Sequence, residues 1–243
     1  MTNLKIQNVS LSIKGRSIVN DVSIIVNPGE VVGLMGPNGA GKPTTFNLAV
    51  GNIKPDKGEI LMNGKNITKL SLPIRSRLGL GYLTQEASIF RNLTVKENID
   101  LALQNSTSSF AAIRNRREQL INEFNLNNFL DSYGYQLSGG ERSRCEIARG
   151  LSVGRKGPKY LLLDEPFAGI DPLAVNDLKK LILKLSRNGV GILITDHNVR
   201  ETLLITNKSY VLSEGKILAY GSSIDLAKNS IVKKFYLGDN FQL

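Results

Sequence analysis

The sequence predicts an α/β fold: a mixed sheet core with an antiparallel β subdomain at its start and a helical subdomain in its middle. Three observations carry this reading. Val31-Val32-Gly33-Leu34-Met35 is an unbroken apolar run that stops at Gly36 and a glycine-rich loop, as a buried parallel strand feeding a helix should. Residues 160–164 and 190–195 are two more such runs with a helical pattern at 173–187 between them, an order that implies a right-handed crossover and parallel pairing. Between Gln85 and Gly150 the composition turns helical.

Along the chain, residues 4–12 and 22–26 read as strands, with turn signals at Lys14-Gly15 and Asn27-Pro28-Gly29, so the simplest start is antiparallel. The strand at 31–35 leads through the glycine-rich loop to a helix at 44–50. A short strand follows at 80–83, then the helical stretch. After the pair of buried strands the tail returns to β character at 209–213 and 216–220, hinged on Glu214-Gly215, and closes with a helix near 224–236. Neither internal repeats nor a low-complexity linker interrupts this order.

With 243 residues, 41% of them hydrophobic, the chain can bury a substantial core. Apolar runs stay well short of the roughly 18–20 residues a spanning helix needs, and Met1-Thr2-Asn3-Leu4-Lys5 lacks a signal-peptide pattern, so a cytoplasmic location is expected. The one cysteine, Cys145, excludes an intrachain disulfide and reads as a small core residue. A net charge of +10 raises nucleic acid as a partner, but the basic residues are scattered and their short clusters lack interleaved aromatics. A solvated surface facing anionic lipid headgroups accounts for the charge better.

Gly36-Pro37-Asn38-Gly39-Ala40-Gly41-Lys42 fits G-x-x-x-x-G-K in the context that motif requires, after a strand and before a helix. Glycines there let backbone N–H groups curl around a β-phosphate, and Lys42 adds a point charge against the β- and γ-phosphates. The motif continues with Ser or Thr, and this chain has Pro43. The change removes a hydroxyl for Mg²⁺ and a backbone N–H for phosphate. Proline also disfavours helical dihedrals at Lys42, although it suits the first turn of a helix. Thr44 offers a hydroxyl if the loop slips by one residue. Weakened nucleotide or Mg²⁺ binding is therefore expected.

Leu161-Leu162-Leu163-Asp164-Glu165-Pro166 delivers two carboxylates to the strand's C-terminal end, where open α/β sheets place ligands. Asp164 can hold Mg²⁺ directly or through water, and Glu165 is the natural general base for an attacking water. Asp171 follows closely and is placed to meet a partner subunit. His197, the only histidine, sits just past another buried strand, beside the same phosphates, where it can sense the γ-phosphate and hold Glu165 and water. Gln85, at a loop after the 80–83 strand, can touch Mg²⁺ or water.

Leu137-Ser138-Gly139-Gly140-Glu141 opens a helical run at Arg142. A hydroxyl, bare backbone N–H groups and a helix N-terminus together make an anion site. The chain already has one phosphate site, so this second one implies nucleotide shared between two subunits.

Taken in order, the phosphate loop, Gln85, LSGGE, LLLDEP, Asp171 and His197 resemble the nucleotide-binding subunit of an ABC transporter, over nearly the whole chain. The resemblance implies a P-loop NTPase fold of ABC type, in which residues 1–85 and 155–243 form the β and RecA-like core and 86–154 the helical subdomain with the signature motif. It also implies a head-to-tail homodimer that holds each ATP, with Mg²⁺, between Lys42 of one copy and Ser138 of the other. Integral membrane permease subunits would be the driven partners, and the location the cytoplasmic face of the inner membrane. Contact with the transported molecule falls to those other chains. Residues 82–91, 195–202 and 236–241 look closest to the ATPases of lipopolysaccharide export, which places Phe90 and Arg91 in the groove that receives permease coupling helices. The family stacks adenine on an aromatic residue just before a Lys-Gly-Arg such as Lys14-Gly15-Arg16, and this chain has Ile13 there, forfeiting about 1 kcal/mol of stacking.

Three alternatives stay open at this level. An importer ATPase of the branched-chain amino-acid type shares every core motif. A non-transport ABC protein acting on DNA or ribosomes carries long coiled-coil insertions or two nucleotide domains, whereas here about fifty residues separate Gln85 from Ser138 and each motif occurs once. A catalytically weakened subunit that scaffolds permeases finds its support in Pro43.

Overall fold

The computed structural model describes residues 2–84, 88–106, 109–154, 157–238 and 241. The chain opens with β1 (Leu4–Ile13) and β2 (Arg16–Val26), a hairpin turning on Lys14 and Gly15, both with positive φ. Next, β3 (Val31–Met35) feeds the glycine-rich loop and α1 (Lys42–Val50). Then come β4 (Lys57–Met62), β5 (Lys65–Asn66), α2 (Leu72–Arg77) and β6 (Leu80–Leu83). The helical stretch holds α3 (Val95–Gln104), α4 (Phe110–Glu123) and α5 (Gly139–Gly150). The second half alternates β7 (Tyr160–Asp164), α6 (Pro172–Arg187), β8 (Gly191–Thr195), α7 (Val199–Leu203), β9 (Lys208–Ser213), β10 (Lys216–Gly221) and α8 (Ser223–Lys228).

Two sheets result. One is antiparallel, in the order β2-β1-β4-β5; the other has the order β10-β9-β3-β8-β7-β6 and is parallel except where β10 pairs antiparallel with β9. The six-stranded sheet is covered on both faces, and its strands alternate accordingly. Leu161 and Leu163 of β7 and Ile192 and Ile194 of β8 pack with the helices α3 to α6. Tyr160 and Leu162 of β7 and Leu193 of β8 turn to the other core, shared with β1, β2 and α1. Burial on both faces is why these strands read as continuous apolar runs.

The structure corrects the sequence reading in several places, among them β2, which starts at Arg16 and not at residue 22. Residues 51–79, left unassigned above, contain β4, β5 and α2; β4 buries only Ile60 and Met62 behind an exposed Lys57-Gly58-Glu59, too short an alternation to register as a strand. Helix α1 starts at Lys42, two residues earlier than expected, with Gly41 at φ 104° as its N-cap and Pro43 in its first turn. The closing helix expected at 224–236 is broken. Asn229 takes an extended conformation and its side chain accepts from Ile231 N and Val232 N, so α8 stops, and a short turn and a π-helical turn at Lys233–Leu237 follow.

Candidate functional site

The phosphate loop runs from the buried end of β3 to α1, with Asn38 and Gly39 exposed at its tip. Two of its glycines are required by close approach as well as by φ. A Cβ on Gly36 (φ +146°) would sit 2.1 Å from Leu212 O, and one on Gly41 (φ +104°) 2.7 Å from Ile18 O. The Gly215 N–H donates to Ala40 O and the Asn20 N–H to Gly215 O, so β2 and the β9–β10 turn clamp the loop from the side. Lys42 is buried and its Nζ donates to Gly36 O at 2.6 Å and Pro37 O at 3.1 Å. Burial lowers its pKa, against the opposing pull of Glu165 and Asp164.

Pro43 is exposed and costs the helix nothing, because a first-turn N–H has no intrahelical acceptor. The Thr45 hydroxyl donates to Gly41 O at 2.9 Å and is thereby committed. Thr44 is half-buried on the first turn. Ile13, at the turn end of the β1–β2 hairpin, is 49% exposed, an apolar surface without a ring face.

The adjacent strands β7 and β8 end in the acidic edge. Asp164 is buried, and burial followed by the neighbouring Glu165 charge pushes its carboxyl up to about 6, with the Tyr82 hydroxyl, at 3.4 Å from Oδ2, and Lys42 pulling the other way. Glu165 is nearly buried at φ +54°, and its N–H donates to Thr195 O at 2.8 Å. The turn aims its carboxylate at His197, whose Nε2 lies 2.8 Å from Glu165 Oε1. Thr195, in register with Asp164, keeps a buried hydroxyl without a hydrogen-bond partner among the described residues.

Ser138 caps α5 in a reciprocal box: its hydroxyl donates to Glu141 Oε2 at 2.7 Å, and its N–H to the same oxygen at 2.9 Å. Those bonds hold the Glu141 carboxyl below its usual range. Ser138 and Gly139 are exposed. Asp171 caps α6, accepting from Leu173 N and Ala174 N at 3.0 Å each. A cavity of about 770 Å³ gathers Ser138, Gly139, Gly140 and Asp171, and its lining includes none of Lys42, Asp164, Glu165 or His197. Within one copy the signature serine and the phosphate loop therefore line different spaces.

A second cavity, of about 510 Å³, is lined by Phe90 together with α2 residues, Tyr82, Glu146 and Arg149. The Arg149 guanidinium lies over the Phe90 ring, 4.7 Å from its centroid. Arg91 is exposed but does not line this cavity. Gln85 lies outside the described residues.

Sequence reasoning passed over several residues that shape the site. Asp196 is buried and accepts from Phe167 N and Asn198 N at 2.8 Å each, tying the loop after β7 to the loop after β8. Buried Asn98 accepts from Phe90 N and donates to Phe90, Leu93 and Thr94 carbonyls, which fixes the Phe90 loop. Tyr236 reaches back from the C-terminal turn: burial raises its pKa against a hydrogen bond from the Gly36 backbone. Asp196 and Tyr236 fall in the stretches 195–202 and 236–241 that carry the family resemblance, which was their signal in the sequence; Asn98 offered none.

Comparison with known proteins agrees with this geometry. The ABC transporter family matches residues 19–168. The lipopolysaccharide export system ATP-binding protein LptB of Haemophilus influenzae is 48% identical, with all of both chains covered. The protein of the same name from Escherichia coli K12 is equally similar. Among solved structures, an ATP-binding cassette of an ABC transporter, MJ1267 in its ADP conformation, superposes with a TM-score of 0.86 at 26% identity, covering 98% of this chain and 100% of that one. The dimeric cassette MJ0796 bound to ADP and Pi shares the fold, with a TM-score of 0.78 at 23% identity over 90% of this chain and 98% of that one.

Proposed function

The chain belongs to the ABC transporter ATP-binding family, and from that premise we propose that it is the ATP-hydrolysing subunit of a lipopolysaccharide exporter. The observation that carries the reading is the division of the site. Lys42 and the carboxylate edge stand at one place, and the exposed start of α5 with Ser138 lines another. Two copies packed head to tail complete both: residues 36–44 and Ile13 of one hold ATP, and Ser138, Gly139, Gly140 and Asp171 of its twin close over the triphosphate. Glu165 takes the proton of the attacking water, and His197 fixes the orientation of the Glu165 carboxylate. Gln85 is assigned to water and metal by its motif position alone. The arm that carries the signature is residues 86–154, on a core of 1–85 and 155–243.

Mg²⁺ fits this edge. Asp164 is a buried carboxylate whose burial is only partly compensated, with the orphaned Thr195 hydroxyl beside it. Among the described residues no group of three or more His, Cys, Asp or Glu converges on one point, and Mg²⁺ is ordinarily held by one or two carboxylates plus substrate phosphates. Asp164 would hold it, with Thr44 the nearest hydroxyl in the motif. Bound there it would neutralise negative charge on the phosphates. Pro43 removes one expected ligand, which favours a second reading as a slow, weakly metal-dependent ATPase that still assembles.

No helix among the described residues is long and apolar enough to cross a membrane. The cavity around Phe90 and Arg149 is the proposed seat of the permease subunits' coupling helices, with Arg91 at its margin, and it would hold the chain on the cytoplasmic face of the inner membrane. Affinity purification with the neighbouring membrane subunits, followed by light scattering with a non-hydrolysable ATP analogue, tests the reading. Two copies per complex that pair in response to analogue are expected, with exporter rather than importer subunits recovered. A chain that stays monomeric and unaccompanied would refute it.

A further inference from the structure

We propose that Arg75 is a positioning residue that links the membrane-facing groove to the phosphate-loop helix; the inference rests on the docking role given above to that groove. Arg75 is fully buried, and no ion pair among the described residues involves it. Burial lowers its pKa to about 10, so it remains a cation at neutral pH. Its hydrogen bonds go to backbone carbonyls on separate segments: Nε to Leu70 O at 2.9 Å, Nη2 to Thr68 O at 2.9 Å, and Nη1 to Leu48 O at 2.9 Å and Ala49 O at 2.6 Å.

Leu48 and Ala49 belong to the last turn of α1, where carbonyls lack intrahelical donors and the helix dipole is negative. The opposite end of α1 is the phosphate loop. The turn after α1 is shaped around the guanidinium, since a Cβ on Gly51 would sit 2.7 Å from Arg75 Nε. Arg75 itself stands on α2, whose Leu72, Pro73, Ser76 and Arg77 line the cavity with Phe90 and Arg149. At 100° per residue those four share one side of α2, and Arg75 projects from the other.

Filling the same space with an apolar side chain would need no buried charge, and buried charge is a poor route to stability. What a planar fork supplies is fixed geometry between the segments it bridges. A shift of α2 by a docked partner is therefore delivered to the C-terminal turn of α1, and the rigid helix carries it to the loop that holds phosphate.

The test is amide hydrogen–deuterium exchange on the full chain, free and in complex with its membrane subunits. Docking is expected to change exchange in residues 72–78 and, together with it, in 48–52. In Arg75→Lys, which keeps charge but not the fork, the response at 72–78 should persist and that at 48–52 should be lost. The docking-dependent shift in affinity for a fluorescent ATP analogue, about fivefold or more at ordinary coupling energies, should vanish in the same variant. A 48–52 response that survives Arg75→Lys overturns the link while leaving the groove reading intact. Should that variant not fold, an unaltered chain that docks without any change at 48–52 overturns it equally. Failure of the unaltered chain to bind the membrane subunits brings down the groove reading, and the link with it.

Discussion

His197 Nε2 stands 2.8 Å from Glu165 Oε1, joining an exposed imidazole to a nearly buried carboxylate. The contact depends on a left-handed backbone at Glu165, φ +54°, a conformation that costs of order 1 kcal/mol for a non-glycine residue. The surroundings enforce it: Glu165 N–H is held by Thr195 O, and Asp196 binds both adjoining loops. Glu165→Gln preserves shape and removes the base. Turnover should fall by about 10²- to 10⁴-fold with ATP-analogue affinity unchanged; a variant hydrolysing ATP at the parent rate would remove Glu165 from the chemistry.

His197→Ala leaves the Glu165 carboxylate in place but unaimed. Turnover is expected to drop at least about tenfold while melting temperature stays within a degree or two, because an exposed imidazole contributes little to packing. Stopped-flow phosphate release on both proteins checks this, and equal bursts would contradict it.

Pro43→Thr restores a hydroxyl and an N–H at the loop's exit. The fold should tolerate it at a cost of no more than about 1 kcal/mol, the loss of proline's restriction on the unfolded chain. Mg²⁺-dependent ATP turnover should rise by about tenfold or more, the scale expected for recovered ligation. Equal rates would show that Pro43 does not impair the site.

The Asp164 carboxyl titrates in the folded chain at about 6, above its ordinary 3.8. The folded state therefore binds a proton that the unfolded state has already released, and stability falls as pH rises through that window. In metal-free buffer, Asp164→Asn should stabilise the chain at pH 7.5 by on the order of 2 kcal/mol, with the gain disappearing below about pH 4. Denaturant melts across that range measure it. A gain constant with pH would point to packing instead of charge.

Asn98→Ala deletes the four side-chain bonds by which Asn98 holds the loop from Phe90 to Thr94. A loss of about 1–3 kcal/mol follows from leaving the Phe90 N–H without its acceptor, while the Phe90, Leu93 and Thr94 carbonyls keep backbone donors. Recovery with the membrane subunits should fall further than stability alone explains, because Phe90 loses its fixed place under Arg149. Undiminished co-purification of a folded variant would detach this loop from docking.

Much of the molecule is written locally in its sequence. The strands at 31–35, 80–83 and 160–164 are found where the apolar runs predict them, because strands buried on both faces have no polar alternation to obscure them. The glycines of the phosphate loop and the Ser138 helix start are equally legible, since their chemistry is a property of neighbouring residues. By contrast β4 escaped notice: its apolar positions, Ile60 and Met62, acquire meaning only once β1 lies beside them.

The amino-acid order alone thus determined the family, the motifs and the departure at Pro43. The motifs already set His197 beside Glu165; tertiary structure decided which other distant groups meet, Tyr82 with Asp164 and Arg75 with the end of α1. Backbone conformation and phosphate-loop chemistry act over a few residues and leave a pattern in the chain. Burial, and the partner that satisfies a buried charge, depend on segments brought together from far along the chain, and no local pattern records them.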